Sequence, residues 1–279
     1  MQKWNNTILL VIKGGFIGIA NIIPGVSGGT IAVILGIYDR LIESIASFFS
    51  NPLKRKEYFL FLTKIFIGAG VSIVLLANIM DYLLKEQFNP TMFLFMGLII
   101  GGIPIFVKTH DDMKISINRG LSFVLGISIV LGLAFLSKKY TQAESVDPEA
   151  IITIGGYLIV GIAGFLAGGA MIVPGVSGSF ILVLMGQYGI IITSIKNMDL
   201  KVLMIVGVGA ICGVLIFSKI IKFLLKKNPA LTYYFILGLI AASLFEIFPG
   251  MPLSNAGVLT GCCALFLGVI TPFLLSKLG

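Results

Sequence analysis

Charge is scarce in this chain of 279 residues. Asp, Glu, Lys and Arg together make up 11% of it, against about 25% in a soluble domain. Apolar types reach 57%, and the mean hydropathy is +1.07. This balance excludes a soluble globular domain and a disordered chain, because most of the sequence has no reason to meet water. The short alternating segments of an outer-membrane barrel are missing as well. Histidine occurs once, at His110, in a loop beside Asp111 and Asp112. That loop is far in depth from the apolar motifs described below, and no Ser-His or Cys-His pair can be assembled at them. An enzyme such as a lipid phosphatase would lack its usual acid–base group. The three cysteines, Cys212, Cys262 and Cys263, lie in apolar runs. They have neither metal-ligand spacing nor a disulfide pattern, and they read as packing residues. No metal or cofactor is expected. The N-terminus has no small-residue cleavage site and Lys13 interrupts its first apolar run, so it reads as retained structure.

What is present is a set of long apolar stretches. Segments 59–80, 91–107, 118–136, 202–225, 230–248 and 256–275 each approach the ~20 residues that cross ~30 Å of hydrocarbon. Four further segments are irregular. Residues 7–23 run into PGVSGG at 24–29, and 30–38 stop at Asp39-Arg40; residues 150–173 run into PGVSGS at 174–179, and 180–195 follow. As a helix, 30–38 would rise only ~14 Å, half a bilayer unless the amphipathic stretch 39–49 is added. Each irregular pair either crosses twice or forms a re-entrant hairpin, and loop parity is the same both ways.

Basic residues outnumber acidic ones by 20 to 12, giving a net charge of +8. No basic groove or RNA motif accompanies this excess, so nucleic acid is not an expected partner. Position explains it better. Loops on one side carry thirteen Lys and Arg, from Lys3 and Arg40 through Lys54, Arg55, Lys56, Lys108, Lys114 and Arg119 to the lysines between 219 and 277. The other side carries five: Lys85, Lys138, Lys139, Lys196 and Lys201. The positive-inside rule puts both termini in the cytoplasm and the acidic loop with Glu144, Asp147 and Glu149 outside.

The strongest signal is self-similarity. Aligning 14–45 with 164–195 gives 16 identities in 32 positions, including Gly18/Gly168, all of Pro24 to Gly28 against Pro174 to Gly178, Gly36/Gly186 and Tyr38/Tyr188. The match resumes at an offset of 141, with Gly97-Leu98-Ile99 against Gly238-Leu239-Ile240. Each copy holds three regular spans and one irregular pair, an odd number of crossings, so the copies enter the membrane from opposite sides. The expected fold is an all-α polytopic membrane protein of two inverted-topology repeats. Each repeat has a PGVSG-broken or re-entrant helix pair plus three transmembrane helices. The first repeat takes 1–137, an external linker 138–149, and the second repeat 150–279. Inverted repeats are a transporter architecture whose site lies near the midplane, where broken helices meet.

Proline cannot continue a helix and glycine permits positive φ, so each PGVSG motif should unwind. Ser27 and Ser177 are placed to cap the helices that follow. The next N–H groups, near Gly28, Gly29 and Thr30 in one copy and Gly178, Ser179 and Phe180 in the other, would then point into the break. A helix N-terminus suits an anion, phosphate above all. This is no nucleotide-binding P-loop, since no Lys-Ser/Thr follows. A plain packing kink is the bland alternative.

Charges inside spans are the next candidates. Lys13 either snorkels or reaches a bound anion, and Lys64 near the Lys54-Arg55-Lys56 loop has the same two options. Arg40 either pairs with Glu43 or offers its planar fork to a phosphate. Asp39, Glu43 and Glu246 are candidates for proton coupling, with an interfacial place the simpler reading of Glu246. Tyr38 and Tyr188 read as interfacial anchors. Arg40 and Lys13 have Ile190 and Ala163 as counterparts, so the basic groups belong to one copy only.

Through NIIPGVSGGTIAVILGIYDRLIESI at 21–45 and IVPGVSGSFILVLMGQY at 172–188, the chain resembles the PopT-type polyprenyl-phosphate transporters over nearly its whole length. The resemblance implies a lipid flippase of the bacterial plasma membrane that moves undecaprenyl phosphate and recycles the carrier lipid of cell-wall synthesis. The residues alone imply only an anion. Gly189-Ile190 replaces Asp39-Arg40 in the second copy, so no charged role carries over there. A phosphate headgroup cannot cross hydrocarbon unaided. Moving an anion into a negative interior costs ~2.3 kcal/mol per charge per 100 mV, which makes proton coupling an expectation. The competing class is a channel or transporter for small inorganic anions, which would use the same helix ends around an enclosed aqueous pore. Oligomeric state is left open.

Overall fold

The computed structural model describes residues 7–23, 25–110, 113–140, 154–251 and 254–277. Pro24, Lys3, Asp111, Asp112 and most of the expected external linker with its acidic residues lie outside the described residues. Every regular element described is helical. The first half runs α1 Thr7–Ile22, α2 Gly28–Ile34, α3 Tyr38–Ser47, α4 Arg55–Glu86, α5 Phe88–Thr109 and α6 Ile117–Tyr140, with a 3-10 turn at Pro52–Lys54. The second half runs α7 Ile154–Ile172, α8 Gly178–Leu184, α9 Tyr188–Lys196, α10 Leu200–Lys227, α11 Pro229–Ile247 and α12 Asn255–Lys277. The two halves thus repeat the same order of elements, one medium helix, two short ones and three long ones.

Among the described residues, seven helices are long and apolar enough to cross a membrane, and α8 with α9 forms one further pair bent by 110°. The chain is a multi-pass membrane protein. Five of the six regular spans expected from the sequence fall within these helices, and the sixth, 230–248, overruns α11 by one residue. The irregular pairs are hairpins. In the first, α2 doubles back along α1, so that Lys13 Nζ lies 3.0 Å from the Leu35 carbonyl. In the second, α8 returns along α7, bringing Gly178 against Ala167 and Met171. The turn at 35–37 also divides the expected 30–49 stretch into α2 and α3, with Gly36 at φ +66°.

Packing between long helices runs through small residues. Helix α1 lies on α4 and α7 on α10. At those seams Gly14 and Gly18 face the backbone of Ile65 and Ala69, while their repeat counterparts Gly164 and Gly168 face Val206 and Ala210. The long helices pair across the halves, α5 with α12 and α6 with α11. Gly97 and Gly268 meet in the first pair, Gly126 and Gly238 in the second. Lipid supplies no hydrophobic drive between helices, so close backbone approach and dispersion hold these seams. The core gathers around α2, all seven of whose residues are buried. In α8 only Gly178 is. The cysteines, expected as packing residues, are all exposed on the helix surface: Cys212, Cys262 and Cys263. Their apolar neighbourhood in sequence is the outer, lipid-facing side.

Replacing Gly97 by Leu places a branched side chain against the Leu265 carbonyl, whereas Gly70 has open space around it. The Gly97→Leu variant should lose about 1–3 kcal/mol of stability through overpacking and melt earlier in detergent. The Gly70→Leu variant should melt with wild type.

Candidate functional site

The two breaks share one backbone. Gly25 and Gly175 both hold φ +80°, and Gly36 and Gly186 hold +66° and +68°. Ser27 sits at φ −100°, ψ 132° and Ser177 at −91°, 135°. A side chain is strained at φ near +80° and glycine is not. The repeat identities therefore fall where the backbone admits no substitute. At Gly175 a Cβ would also strike the Leu239 backbone.

The breaks meet. Thr30 Oγ1 accepts the Gly175 N–H at 2.7 Å, and Ser27 Oγ donates to the Val173 carbonyl at 3.4 Å. Gly29 lies against the Ile172 carbonyl with no room for a side chain. Between them is a cavity of about 250 Å³ that Ser27, Ser177, Gly178, Ser179 and Asn21 line, with Met171 and the small residues of α7 and α10 completing it. The structure thus brings the serines of both motifs to one space. The expected caps are not made. Ser27 and Ser177 occupy the cap positions without a side-chain cap bond. Ser27 reaches across to the other break, and Ser177 Oγ shares a hydrogen bond of 2.8 Å with Ser179 Oγ. Asn21 takes the capping work in the first copy, its Oδ1 accepting the Gly28 N–H at 3.2 Å. Asn21 was not singled out by sequence. A polar amide inside an apolar helix three residues before the motif was the available signal.

Lys13 neither snorkels nor faces the cavity. It is 6% exposed and donates to Leu35 at the C-terminal end of α2, where a cation meets the negative end of the helix. The equivalent carbonyl in the second copy, Met185, receives Gln187 Nε2 at 3.2 Å. Two unrelated side chains therefore satisfy the same orphan position. Tyr38 is no interfacial anchor: it is 3% exposed and its hydroxyl donates to Ile172 at 3.1 Å, while Tyr188 is 43% exposed.

Arg40 does not pair with Glu43. Its guanidinium meets Glu57 at 3.3 Å and lies 4.5 Å over the Phe61 ring. Glu43 instead pairs with Lys222 of α10 at 3.0 Å and accepts from Tyr58 and Ser47. Asp39 accepts from Tyr233 at 3.0 Å and stands 3.2 Å from His110 Nε2. The sole histidine thus closes α5 against α3 and α11. Lys64 is half-buried in α4 and is not among the cavity residues. Glu246 is half-buried beside Gly25, with its side-chain carbons about 3.7 to 3.9 Å from where a Cβ would stand. It borders the first break. Among the described residues no cluster of His, Cys, Asp and Glu could hold a metal ion.

Residues 17–260 match the family described as VCA0040-like, undecaprenyl phosphate translocase-like. A polyprenyl-phosphate transporter of Staphylococcus aureus is 34% identical over 285 residues, covering 99% of this chain and 97% of that one. A second, from Vibrio cholerae, is 34% identical over 258 residues, covering 88% and 79%. No solved structure gives a significant match.

The bond between the breaks is open to test. Thr30→Val keeps the shape and leaves the buried Gly175 N–H without an acceptor, which costs about 1–3 kcal/mol. Its melting temperature in detergent should fall, and Thr30→Ser should recover most of the loss.

Proposed function

Because this chain belongs to the undecaprenyl phosphate translocase-like family, we propose that it carries polyprenyl phosphate, in particular undecaprenyl phosphate, across the bacterial plasma membrane for carrier-lipid recycling. Both relatives are named polyprenyl-phosphate transporters. The observation that carries the reading to this chain is the cavity edged by Ser27 of one break and Ser177, Gly178 and Ser179 of the other. The Ser177–Ser179 hydroxyl pair and the glycine backbone bring polar groups there without formal charge. The headgroup binds in this space and the polyprenyl tail stays in lipid; Gly28, Gly29 and Thr30 are buried behind Ser27 and support the site without lining it. No chemistry on the substrate is required, so the protein is a transporter and no enzyme.

The halves, 1–137 and 150–279 joined by 138–149, act as inverted repeats with both termini cytoplasmic. The shared order of elements and the basic loops support this. Rocking of one repeat on the other exposes the cavity to each side in turn. Protons accompany the lipid. Asp39 and Glu43 are already engaged with neighbours, so Glu246 beside Gly25 is the carboxylate we assign to exchange. Arg40, Lys13 and Lys64 act elsewhere than at the headgroup.

Purified protein in liposomes should flip polyprenyl phosphate and pass neither inorganic phosphate nor chloride. Equal or faster flux of the small anions would replace this reading with an anion channel. Ser27→Leu and Ser177→Leu should each lower lipid flux about tenfold or more, the equivalent of ~1.4 kcal/mol, at wild-type expression. Wild-type flux in both would remove the cavity from the account.

A further inference from the structure

Helix α3 continues the first hairpin, and its opening acid, Asp39, is held from two sides. Tyr233 of α11 donates its hydroxyl to Asp39 Oδ2 at 3.0 Å, and His110 at the end of α5 brings Nε2 to the same oxygen at 3.2 Å. The other ring nitrogen, Nδ1, lies 2.8 Å from the Phe106 carbonyl. The histidine ring packs on Tyr233 at 3.8 Å and on Phe106 at 4.6 Å between centroids, and Phe106 meets Tyr233 edge-on at 5.6 Å. Residues 71 and 194 positions apart in sequence from Asp39 thus converge on one carboxylate oxygen.

A carbonyl oxygen can only accept, and so can an ionised carboxylate. His110 therefore faces an acceptor with each ring nitrogen. Neutral imidazole carries one N–H and can serve one of them; imidazolium carries two and serves both. The geometry points to a protonation-dependent clasp: His110 and Tyr233 are positioning residues that hold α3, through Asp39, against α5 and α11. One end of the first hairpin is thereby fixed while its other end borders the cavity. Among the described residues, Asp39 from α3 and Tyr233 from α11 are titratable groups that face the ring. Arg40, next in sequence, is turned to Glu57. Asp111 and Asp112 follow His110 outside the described residues. Both ring contacts together need the second ring proton, so the clasp is complete at low pH and loses one of the two as pH rises through the histidine range, near 6.5 in the reference state. In the second copy Gly189 stands at the Asp39 position, so the clasp belongs to one hairpin only. It rests on the transporter reading solely for its consequence, which is control of when the first hairpin moves.

The test needs no lipid substrate. Spin labels at Ser50, just past α3, and at Thr109, the last residue of α5, are placed in a variant with Cys212, Cys262 and Cys263 replaced by Ala. Their distance distribution is measured in nanodiscs between about pH 5.5 and 8.5, a range that brackets histidine titration. One short distance is expected at low pH, with a longer one growing in as pH rises. His110→Gln, which keeps a donor but does not titrate, should show a distribution independent of pH, and so should Asp39→Asn. A wild-type distribution that ignores pH overturns the inference even if a variant fails to fold. So does a His110→Gln protein that shifts as wild type does. Neither result touches the cavity, and failed lipid flux in the Ser27 and Ser177 variants leaves the clasp standing.

Discussion

A backbone that stops being helical inside a bilayer must find partners for its N–H and C=O groups within the protein. Two such stops, at equivalent places in two halves, govern the arrangement of this chain. In the first, Thr30 Oγ1 accepts the Gly175 N–H of the second, and in the second the Val173 carbonyl accepts from Ser27 Oγ. Neither break is satisfied by its own half alone. The need to pair these groups draws the two hairpins together, and the cavity lies where they touch. The outer ends of the short helices obey the same constraint, with Lys13 serving Leu35 and Gln187 serving Met185.

The halves meet that demand with unequal rigidity. In the first, α2 is wholly buried and α3 is held by ion pairs or hydrogen bonds at Asp39, Arg40 and Glu43. In the second, Gly189, Ile190 and Thr193 stand at those positions, and α8 is mostly half-buried, with only Gly178 fully covered. The ion pairs to Glu57, His110 and Lys222 are each modest in energy, but with the Tyr233 hydrogen bond they tie one hairpin to α4, α5, α10 and α11. The other hairpin rests on packing and the serine pair. One half thus carries charged attachments, and the other has uncharged residues at the same three positions.

Much of this was legible in the sequence because it rests on local rules. Long apolar runs gave the spans, and recurrence of PGVSG gave the two breaks and their glycines, since only glycine suits φ near +80°. The partners of Arg40, Glu43 and Lys13 were not legible. Sequence reasoning offers neighbours three or four residues away, and their actual partners lie 17, 179 and 22 residues off. Tyr38 illustrates the same limit. A tyrosine at the end of an apolar run reads as an anchor until a carbonyl 134 residues away claims its hydroxyl. His110 was set aside for lack of a nucleophile nearby, and its place beside Asp39 follows from how α5 ends against α3. Asn21 carried a signal that went unread, a lone amide in an apolar helix.

The central claim is that a phosphate headgroup occupies the space between the breaks. A photoreactive side chain at Ser179 tests it directly in membranes containing labelled polyprenyl phosphate. The account predicts a lipid adduct at that position, suppressed by excess polyprenyl phosphate and left intact by the same chain ending in an alcohol. Equal suppression by the alcohol, or an adduct that neither compound suppresses, would mean that the tail or bulk lipid is what the cavity meets, and would contradict it.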